Sequence, residues 1–463
     1  MNKALMGMVA VVGLGLAACT RAPQVIDNAA LANQDDGSNW PAFGRTFEEG
    51  HYSPLSLIHA GNVQRLGLAW SLDLDVNNSI TAPVAVNGVI YLGAGHGVIH
   101  AVDARTGKLL WRHDAKAPEA AGAKLRVAWG IRGVAFWKGR VYAGTTDGRL
   151  LALNAADGSL AWSVQTVDPA DGAVITGAPR VFNGKVVIGF SGGDFGPLRG
   201  YVTAYDANDG KQLWRFFVVP GKPGTRDNAA SDEVHEKMAA TWTGEWWRYG
   251  GGGAVWNAMT YDPEFNRLYI GTGNGTPMNW KIRSPQGGDN LFVASVVALD
   301  ADTGRYVWHY QTTPGDSWDY DSSTDMTLAT LAIDGAPRKV MLHAAKNGFI
   351  YVLDRADGKL LSAEKLGTVT WAERIDLQTG KPVLAAGAKY EQKPILLWPS
   401  FQAVHHWLPQ SHNLKTGLLY VPTLEMPAEF GDAGIDVKNW KARPGSAEYT
   451  GLSLGPDGTV LMF

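Results

Sequence analysis

One short phrase recurs five times along this chain: Asp103–Trp111 (DARTGKLLW), Asn154–Trp162 (NAADGSLAW), Asp206–Trp214 (DANDGKQLW), Asp300–Trp308 (DADTGRYVW) and Asp354–Ser362 (DRADGKLLS). In every copy a Gly follows the first Asp or Asn by four positions, and Trp, or Ser362 in the last copy, follows it by eight. Successive Trp residues lie roughly 50 residues apart, except that Trp214 and Trp308 are separated by about twice that; such a period means a propeller or solenoid. Within the units, Asn87-Gly88, Asn183-Gly184 and Asp334-Gly335 sit between alternating apolar runs such as Val84–Val86 and Val89–Tyr91, the signature of tight hairpins. Each unit is therefore expected to be an antiparallel sheet of about four strands, stable only where neighbouring units cover its faces. The recurring Trp is expected to fill the space between units. The double interval holds a Gly- and Pro-rich insertion, Pro220–Gly253, and reads as one blade plus a long loop.

Composition agrees and narrows the function. The 463 residues carry 41 basic and 44 acidic side chains with no basic cluster, which removes the usual case for nucleic acid. The 56 Gly, 23 Pro and 18 Trp suit turns and strands. Cys19 is the only cysteine, so the sequence offers no disulfide, no Cys-based zinc site and no CxxCH haem attachment. Lys3, the apolar run Ala4–Ala17 and the close Leu16-Ala17-Ala18-Cys19 read as an export signal. Leu-Ala-Ala-Cys resembles the lipobox of bacterial lipoproteins, whose acylated Cys becomes the mature N-terminus; a plain signal with a nearby Cys is the alternative. The expected organisation is a signal peptide over 1–19, a linker over 20–38 and a propeller over 39–463. The expected location is the periplasm, with a lipid anchor on Cys19 holding the chain at the outer membrane. No later apolar stretch approaches the ~20 residues of a membrane span.

Further stretches are more specific: Trp40–Leu55 (WPAFGRTFEEGHYSPL), Thr241–Trp256 (TWTGEWWRYGGGGAVW), Tyr269–Gly275 (YIGTGNG), Tyr310–Asp321 (YQTTPGDSWDYD) and Lys346–Arg355 (KNGFIYVLDR). With the repeats, they resemble the eight-bladed β-propellers of the pyrroloquinoline quinone (PQQ) dehydrogenases, the quinoprotein methanol and ethanol dehydrogenases. The resemblance implies an all-β fold with tryptophan-docking motifs and a PQQ-dependent oxidation of alcohols. It also implies roles for particular residues. Trp256 would stack under the quinone, and Arg132, Thr176, Ser191, Gly192 and Gly193 would hold its carboxylates and edge. Lys346 would sit near its oxygens, and His406 falls where the family has a cofactor-contacting Asn. Asp194 and Asn274 would be metal ligands. Asp319 would remove the hydroxyl proton as hydride passes to the metal-polarised quinone. Asp321, two positions on, looks like the extra ligand of the lanthanide-dependent branch. In extended chain i and i+2 share a face, so Asp319 and Asp321 can reach one ion, and the extra carboxylate favours a lanthanide over Ca²⁺.

Each of these residues alone has a plainer reading. Trp256 can be blade packing, Asp319, Asp321 and Asn274 turn residues, Lys346 a hairpin flank and Arg132 half of an interblade ion pair. The constellation carries the argument. His405-His406 is not expected to be a metal site, because adjacent strand residues point to opposite faces. The sequence also departs from the family. The adjacent Cys pair falls at Arg126-Val127, a quinone-contacting Glu falls at Ile80, and the metal-ligand Glu is the shorter Asp194. Leu66–Leu72 reads as an outer blade strand with its own Trp70 but no preceding inner strands. A sixth blade is expected around Lys393–Phe463, so about six blades are expected in an incomplete ring. The partners implied are a small alcohol and a separate cytochrome c. The competing function is a non-catalytic lipoprotein propeller that serves as a protein-binding scaffold.

Overall fold

The structure, a computed structural model, describes residues 23–77, 79–121, 130–193, 196–391, 393–444 and 446–453. Five four-stranded antiparallel sheets follow one another, each running outward in chain order. The first comprises Val84–Val86, Val89–Ala94, Val98–Asp103 and Leu109–Asp114; the second Ala135–Trp137, Arg140–Gly144, Arg149–Asn154 and Leu160–Gln165. The third comprises Arg180–Phe182, Lys185–Ile188, Tyr201–Asp206 and Gln212–Phe217. The fourth is built from Met259–Asp262, Arg267–Gly271, Ser295–Asp300 and Tyr306–Gln311, and the fifth from Met326–Ile333, Ala336–Ala344, Phe349–Asp354 and Leu360–Lys365. The expected hairpins form at 87–88, 183–184 and 334–335. Both central residues of each have positive φ (+51° and +81° at Asn87-Gly88), which matches the turn to the twist of its strands. The third strands of the first four sheets are buried on both faces, as at Leu150–Leu153, whereas that of the fifth alternates and the outer strands are more open, with Leu160 51% exposed.

The repeated phrase is a docking device. Its Gly closes a turn by donating to the carbonyl of the first Asp, as Gly107 does to Asp103 at 2.9 Å and Gly304 to Asp300 at 2.9 Å. The Trp of the preceding unit then lies flat on that Gly: Trp70 on Gly107, Trp111 on Gly158, Trp162 on Gly210, Trp214 on Gly304 and Trp308 on Gly358. Two demands meet there. The φ values run from +71° to +76°, and a Cβ on Gly107 or Gly158 would fall 2.6 Å from the indole. Four of the indoles also donate to the next unit, Trp70 to the Ala104 carbonyl (3.1 Å), Trp111 to Ala155 (2.9 Å), Trp162 to Ala207 (3.2 Å) and Trp308 to Arg355 (3.3 Å). The buried Trp214 Nε1 has no such partner among the described residues.

The periphery is less regular than the five sheets. Trp70 docks as expected, but the chain around it pairs with no strand, and Leu66 and Leu68 stay 61% and 86% exposed. The sixth blade expected around Lys393–Phe463 extends outside the described residues, and among the described residues that follow the fifth sheet the strands occur in pairs. These are Ala372–Ile375 with Pro382–Leu384, Ile395–Leu397 with Ala428–Phe430, and Ser411–Asn413 with Leu418–Tyr420. Prolines at 394, 399, 409, 422 and 427 remove backbone donors and keep each ladder short. The insertion is as read: one blade follows it, and its Trp242 and Trp246 are buried, donating to the carbonyls of Leu291 (2.8 Å) and Pro220 (2.9 Å).

A strap over residues 40–52 shows that the sheets are radial. Trp40 pairs with Ala85 of the first sheet, Glu49 forms an ion pair with Arg180 of the third (2.7 Å), and the Glu48 carbonyl accepts from Leu328 of the fifth (2.9 Å). One short segment can touch sheets one, three and five only if their inner edges converge. That convergence positions the site. In an up-and-down sheet the residues before strand one and after strand two lie at the same end. Arg132, Thr176, Trp256 and Asp321 each precede an innermost strand, and Ser191, Asn274 and Lys346 each follow a second strand.

Candidate active site

Asp321 is the hub of the cluster. Its Oδ1 accepts from the Asn274 backbone N–H at 2.5 Å, and its Oδ2 accepts from Trp256 Nε1 at 3.0 Å and from Lys346 Nζ at 3.3 Å. Lys346 Nζ also lies 3.1 Å from Asp319 Oδ2. The two carboxylates thus meet at the Lys346 ammonium, although the chain between them is not the extended segment on which the i, i+2 reading relied. Lys346 is buried at 2% exposure, which is tolerable for an ammonium only because two carboxylates face it. Asp319 keeps a 15% exposed side chain.

Asp319 sits at φ +67°, a left-handed conformation that costs a non-glycine residue about 1–3 kcal/mol. The surrounding residues hold it there. Trp318 is stacked between Tyr320 and Trp371 and donates to the Ala388 carbonyl at 2.9 Å, while the Tyr320 hydroxyl donates to Pro399 at 2.6 Å. Ser317 donates to the Met278 carbonyl at 2.9 Å. Asp316 Oδ1 accepts from the backbone N–H of both Trp318 (3.2 Å) and Tyr320 (3.1 Å).

Trp256 joins this acidic corner to a cationic one. The Arg132 guanidinium lies 5.0 Å from the Trp256 ring centroid and 5.5 Å from that of Trp407. One Arg132 Nη2 donates to the Trp256 carbonyl at 2.9 Å, and Asn257 Oδ1 lies at 3.4 Å. Its Nε is buried without a partner among the described residues, and burial lowers the guanidinium to about 9. The Arg132 N–H donates to the Thr176 carbonyl at 2.8 Å, and the Thr176 and Ser191 hydroxyls are 2.7 Å apart. Gly192 holds φ +100°, and the Gly193 carbonyl accepts from the Thr276 hydroxyl.

The His406 ring lies 5.7 Å from that of Trp256, tilted by 39°. Burial first, then the nearby Lys346 and Arg132 charges, lower it to about 2, so it is neutral. His405 turns the other way and donates from Nδ1 to the Pro422 carbonyl at 2.9 Å. The pair therefore diverges, as expected of adjacent residues. Asp194 and Arg126-Val127 lie outside the described residues, as does the signal segment with Cys19. Among the described residues no three His, Cys, Asp or Glu side chains converge on one point; Asp319 and Asp321 supply two carboxylates, and Asn274 meets Asp321 through its backbone N–H.

Sequence reasoning missed Asp316, Arg283 and Trp407. Asp316 lies within the Tyr310–Asp321 stretch but was given no role, yet Asp316 and Arg283 are both wholly buried. Nothing near Arg283 in the sequence marks it.

The glucose/ethanol/alcohol dehydrogenase β-propeller domain, a PQQ family, matches residues 40–365. The quinohemoprotein alcohol dehydrogenase ADH IIB of Pseudomonas putida is 49% identical over 441 residues, which cover 94% of this chain and 63% of that protein. A 1-butanol dehydrogenase (cytochrome c) of Thauera butanivorans is 40% identical and is matched over 89% of this chain and 59% of its own length. Among solved structures, quinohemoprotein alcohol dehydrogenase ADHIIG from Pseudomonas putida HK5 superposes with a TM-score of 0.87 at 46% identity, covering 93% of this chain and 63% of that one. A europium-containing methanol dehydrogenase gives 0.80 at 30% identity, covering 88% and 72%. The chain thus spans less than two thirds of the length of the curated relatives it matches. Repeats, radial sheets and the convergence at Asp321 agree with these matches, and the chain belongs to the PQQ glucose/ethanol/alcohol dehydrogenase β-propeller family.

Proposed function

We propose that this chain is the propeller of a PQQ-dependent alcohol dehydrogenase that oxidises the CH–OH group of small alcohols to aldehydes. The observation that carries this reading is the joining of an acidic corner (Asp319, Asp321) to an uncompensated buried guanidinium (Arg132) by the flank of one indole (Trp256). A scaffold does not need a buried Arg with an orphaned Nε and only uncharged oxygen partners; a polyanionic planar cofactor supplies what that Arg lacks. The residues therefore fit PQQ, and the two carboxylates fit a hard cation. When bound, PQQ supplies the two-electron acceptor and the cation polarises its reacting carbonyl.

The chain's own groups do the rest. Trp256 gives a flat floor, Arg132, Thr176 and Ser191 present donors to carboxylates, and Asp319 Oδ2 takes the proton of the alcohol hydroxyl. Lys346, 3.1 Å from that oxygen, fixes its direction. Asp194, Asn274, Asp319 and Asp321 are the metal ligands we propose, with a lanthanide preferred over Ca²⁺. The paired carboxylates support that preference, as does the likeness to a europium-containing methanol dehydrogenase. The electron acceptor we propose is a separate cytochrome c, as the name of the Thauera relative suggests. Export to the periplasm, with a signal over 1–19, a linker over 20–38 and a lipid on Cys19, is likewise proposed from the sequence motif alone.

The test is reconstitution of the full chain with PQQ and either La³⁺ or Ca²⁺. Retention of quinone absorbance after gel filtration and alcohol-dependent reduction of a dye support the reading; no retained quinone with either ion refutes it. Turnover with Ca²⁺ and none with La³⁺ refutes the lanthanide preference alone.

A further inference from the structure

We infer that Asp316 is a positioning residue for Asp319: its buried carboxylate ties the two peptide N–H groups that flank the base and so holds the left-handed turn that aims Asp319 at Lys346. The inference rests on the reading of Asp319 as the base. Asp316 Oδ1 accepts from Trp318 N–H at 3.2 Å and from Tyr320 N–H at 3.1 Å, the residues immediately before and after Asp319. Between those two tethers Asp319 takes φ +67°. Tethering both neighbours to one oxygen leaves the intervening peptide units little choice of orientation.

An Asp is a costly choice for mere support. Asp316 is wholly buried, its Oδ2 has no partner among the described residues, and burial raises its carboxyl above the ordinary range. The nearest cation, Arg283, spends its donors elsewhere: on the carbonyls of Pro277, Met278 and Asp316 itself, and on Asn290 Oδ1 at 3.2 Å. A buried carboxylate kept without a direct ion pair tends to be exchanged for an apolar group when only stability is at stake. Here the group that replaces it must still accept from two amides. The neighbours of Asp319 meanwhile have their own anchors, Trp318 on Ala388 and Tyr320 on Pro399, so the tethers of Asp316 act on direction rather than on whether the loop packs.

The experiment compares Asp316→Asn, Asp316→Ala and Asp319→Asn in the reconstituted full chain, with Trp162→Phe in the second sheet as a control for lost stability. Asp316→Asn keeps an oxygen acceptor and is expected to retain at least a third of kcat. Asp316→Ala is expected to lose kcat by about 30-fold or more with KM changed less than about threefold. Trp162→Phe is expected to lower Tm without lowering kcat. Equal losses in the Asn and Ala variants, or an Ala variant with an unchanged kcat, overturn the inference. If Asp319→Asn keeps its turnover, the base assignment fails instead, and amide hydrogen exchange then decides the tether separately. The Trp318 and Tyr320 amides are expected to be protected in the unmodified chain and in Asp316→Asn. Rapid exchange at either amide in the unmodified chain overturns the inference whether or not Asp316→Ala folds.

Discussion

The region from Val84 to Lys365 and the region from Ala372 to Ser453 share one turn and differ in what is stacked on it. In both, a Gly donates back to an Asp or Asn four residues earlier: Gly107 to Asp103 at 2.9 Å in the first, Gly380 to Asp376 and Gly417 to Asn413 at 2.8 Å in the second. In the first region every such turn receives an indole from the unit before, and the sheets have four strands. In the second, no indole arrives: the last strand of the first region offers Ser362 in place of Trp, Tyr310 reaches across to the Gly380 carbonyl at 2.8 Å, Gly417 faces open space, and the sheets have two strands. The turn sets a hairpin; the indole sets the stacking of sheet on sheet. Of the candidate site residues, the second region contributes His406, and the first supplies the acids, Lys346, Arg132 and Trp256.

The largest expected effect sharpens that division at the site. Asp319→Asn should lower alcohol-dependent turnover by about 10²–10⁴-fold, while His406→Ala should stay within about tenfold, both measured with PQQ and metal in excess. Comparable losses would erase the distinction. Next comes the turn itself. Gly158→Ala puts a methyl 2.6 Å from the Trp111 ring at φ +72°, so a loss of about 3 kcal/mol is expected by denaturant titration. Gly417→Ala has the same φ problem at +71° with nothing near it, and about 1 kcal/mol is expected. Equal losses would show that the indole contact adds nothing. Third, Trp111→Phe leaves the Ala155 carbonyl without its indole donor, whereas Trp214→Phe removes no such bond, so the first should cost about 1 kcal/mol more than the second.

A last effect, read through pH, concerns the seam between the regions, where His343 of the fifth sheet donates to the Asp325 carbonyl at 3.1 Å and feels the charge of His405. Burial lowers His343 to about 4 from an ordinary 6.5. Below pH 6.5 the unfolded chain therefore binds a proton that the folded chain refuses. Stability should fall as pH drops from 6.5 toward 4, by about 1.4 kcal/mol per unit at most, and be complete above that window. His343→Gln should flatten this part of the Tm-versus-pH curve.

Much of the first region was legible in the sequence because its signals are local. The Asn-Gly and Asp-Gly hairpins, the Gly at plus four and the Trp at plus eight each act within a few residues or on the next unit. The second region hid its turns: Asp376–Gly380 and Asn413–Gly417 carry the same spacing, but without Trp they looked like any polar loop. At the site, Asp319 and Asp321 were singled out by period two, yet they meet at Lys346 through a left-handed turn at Asp319 and not through extended chain. The burial of Lys346 had no such signal, since Lys-Asn-Gly reads as an exposed hairpin flank until the chain is wound around an axis. Asp316 and Arg283 were missed for the same reason, because their partners are chosen by the fold of a loop and not by spacing.

The strap over residues 40–52 carries a consequence for biosynthesis. Its last seat is on Ser411, whose hydroxyl donates to the His51 carbonyl across 360 positions of chain. Neighbouring blades can assemble as they leave the ribosome, each needing only the one before it. The strap cannot: it emerges first, and although Trp40 can pair once Ala85 is made, its far end must wait until Asp325 and then Ser411 have been translated. The earliest-made part of the propeller is thus among the last to settle, and a nascent-chain protease assay should find Arg45 cleavable long after Lys138 has become resistant.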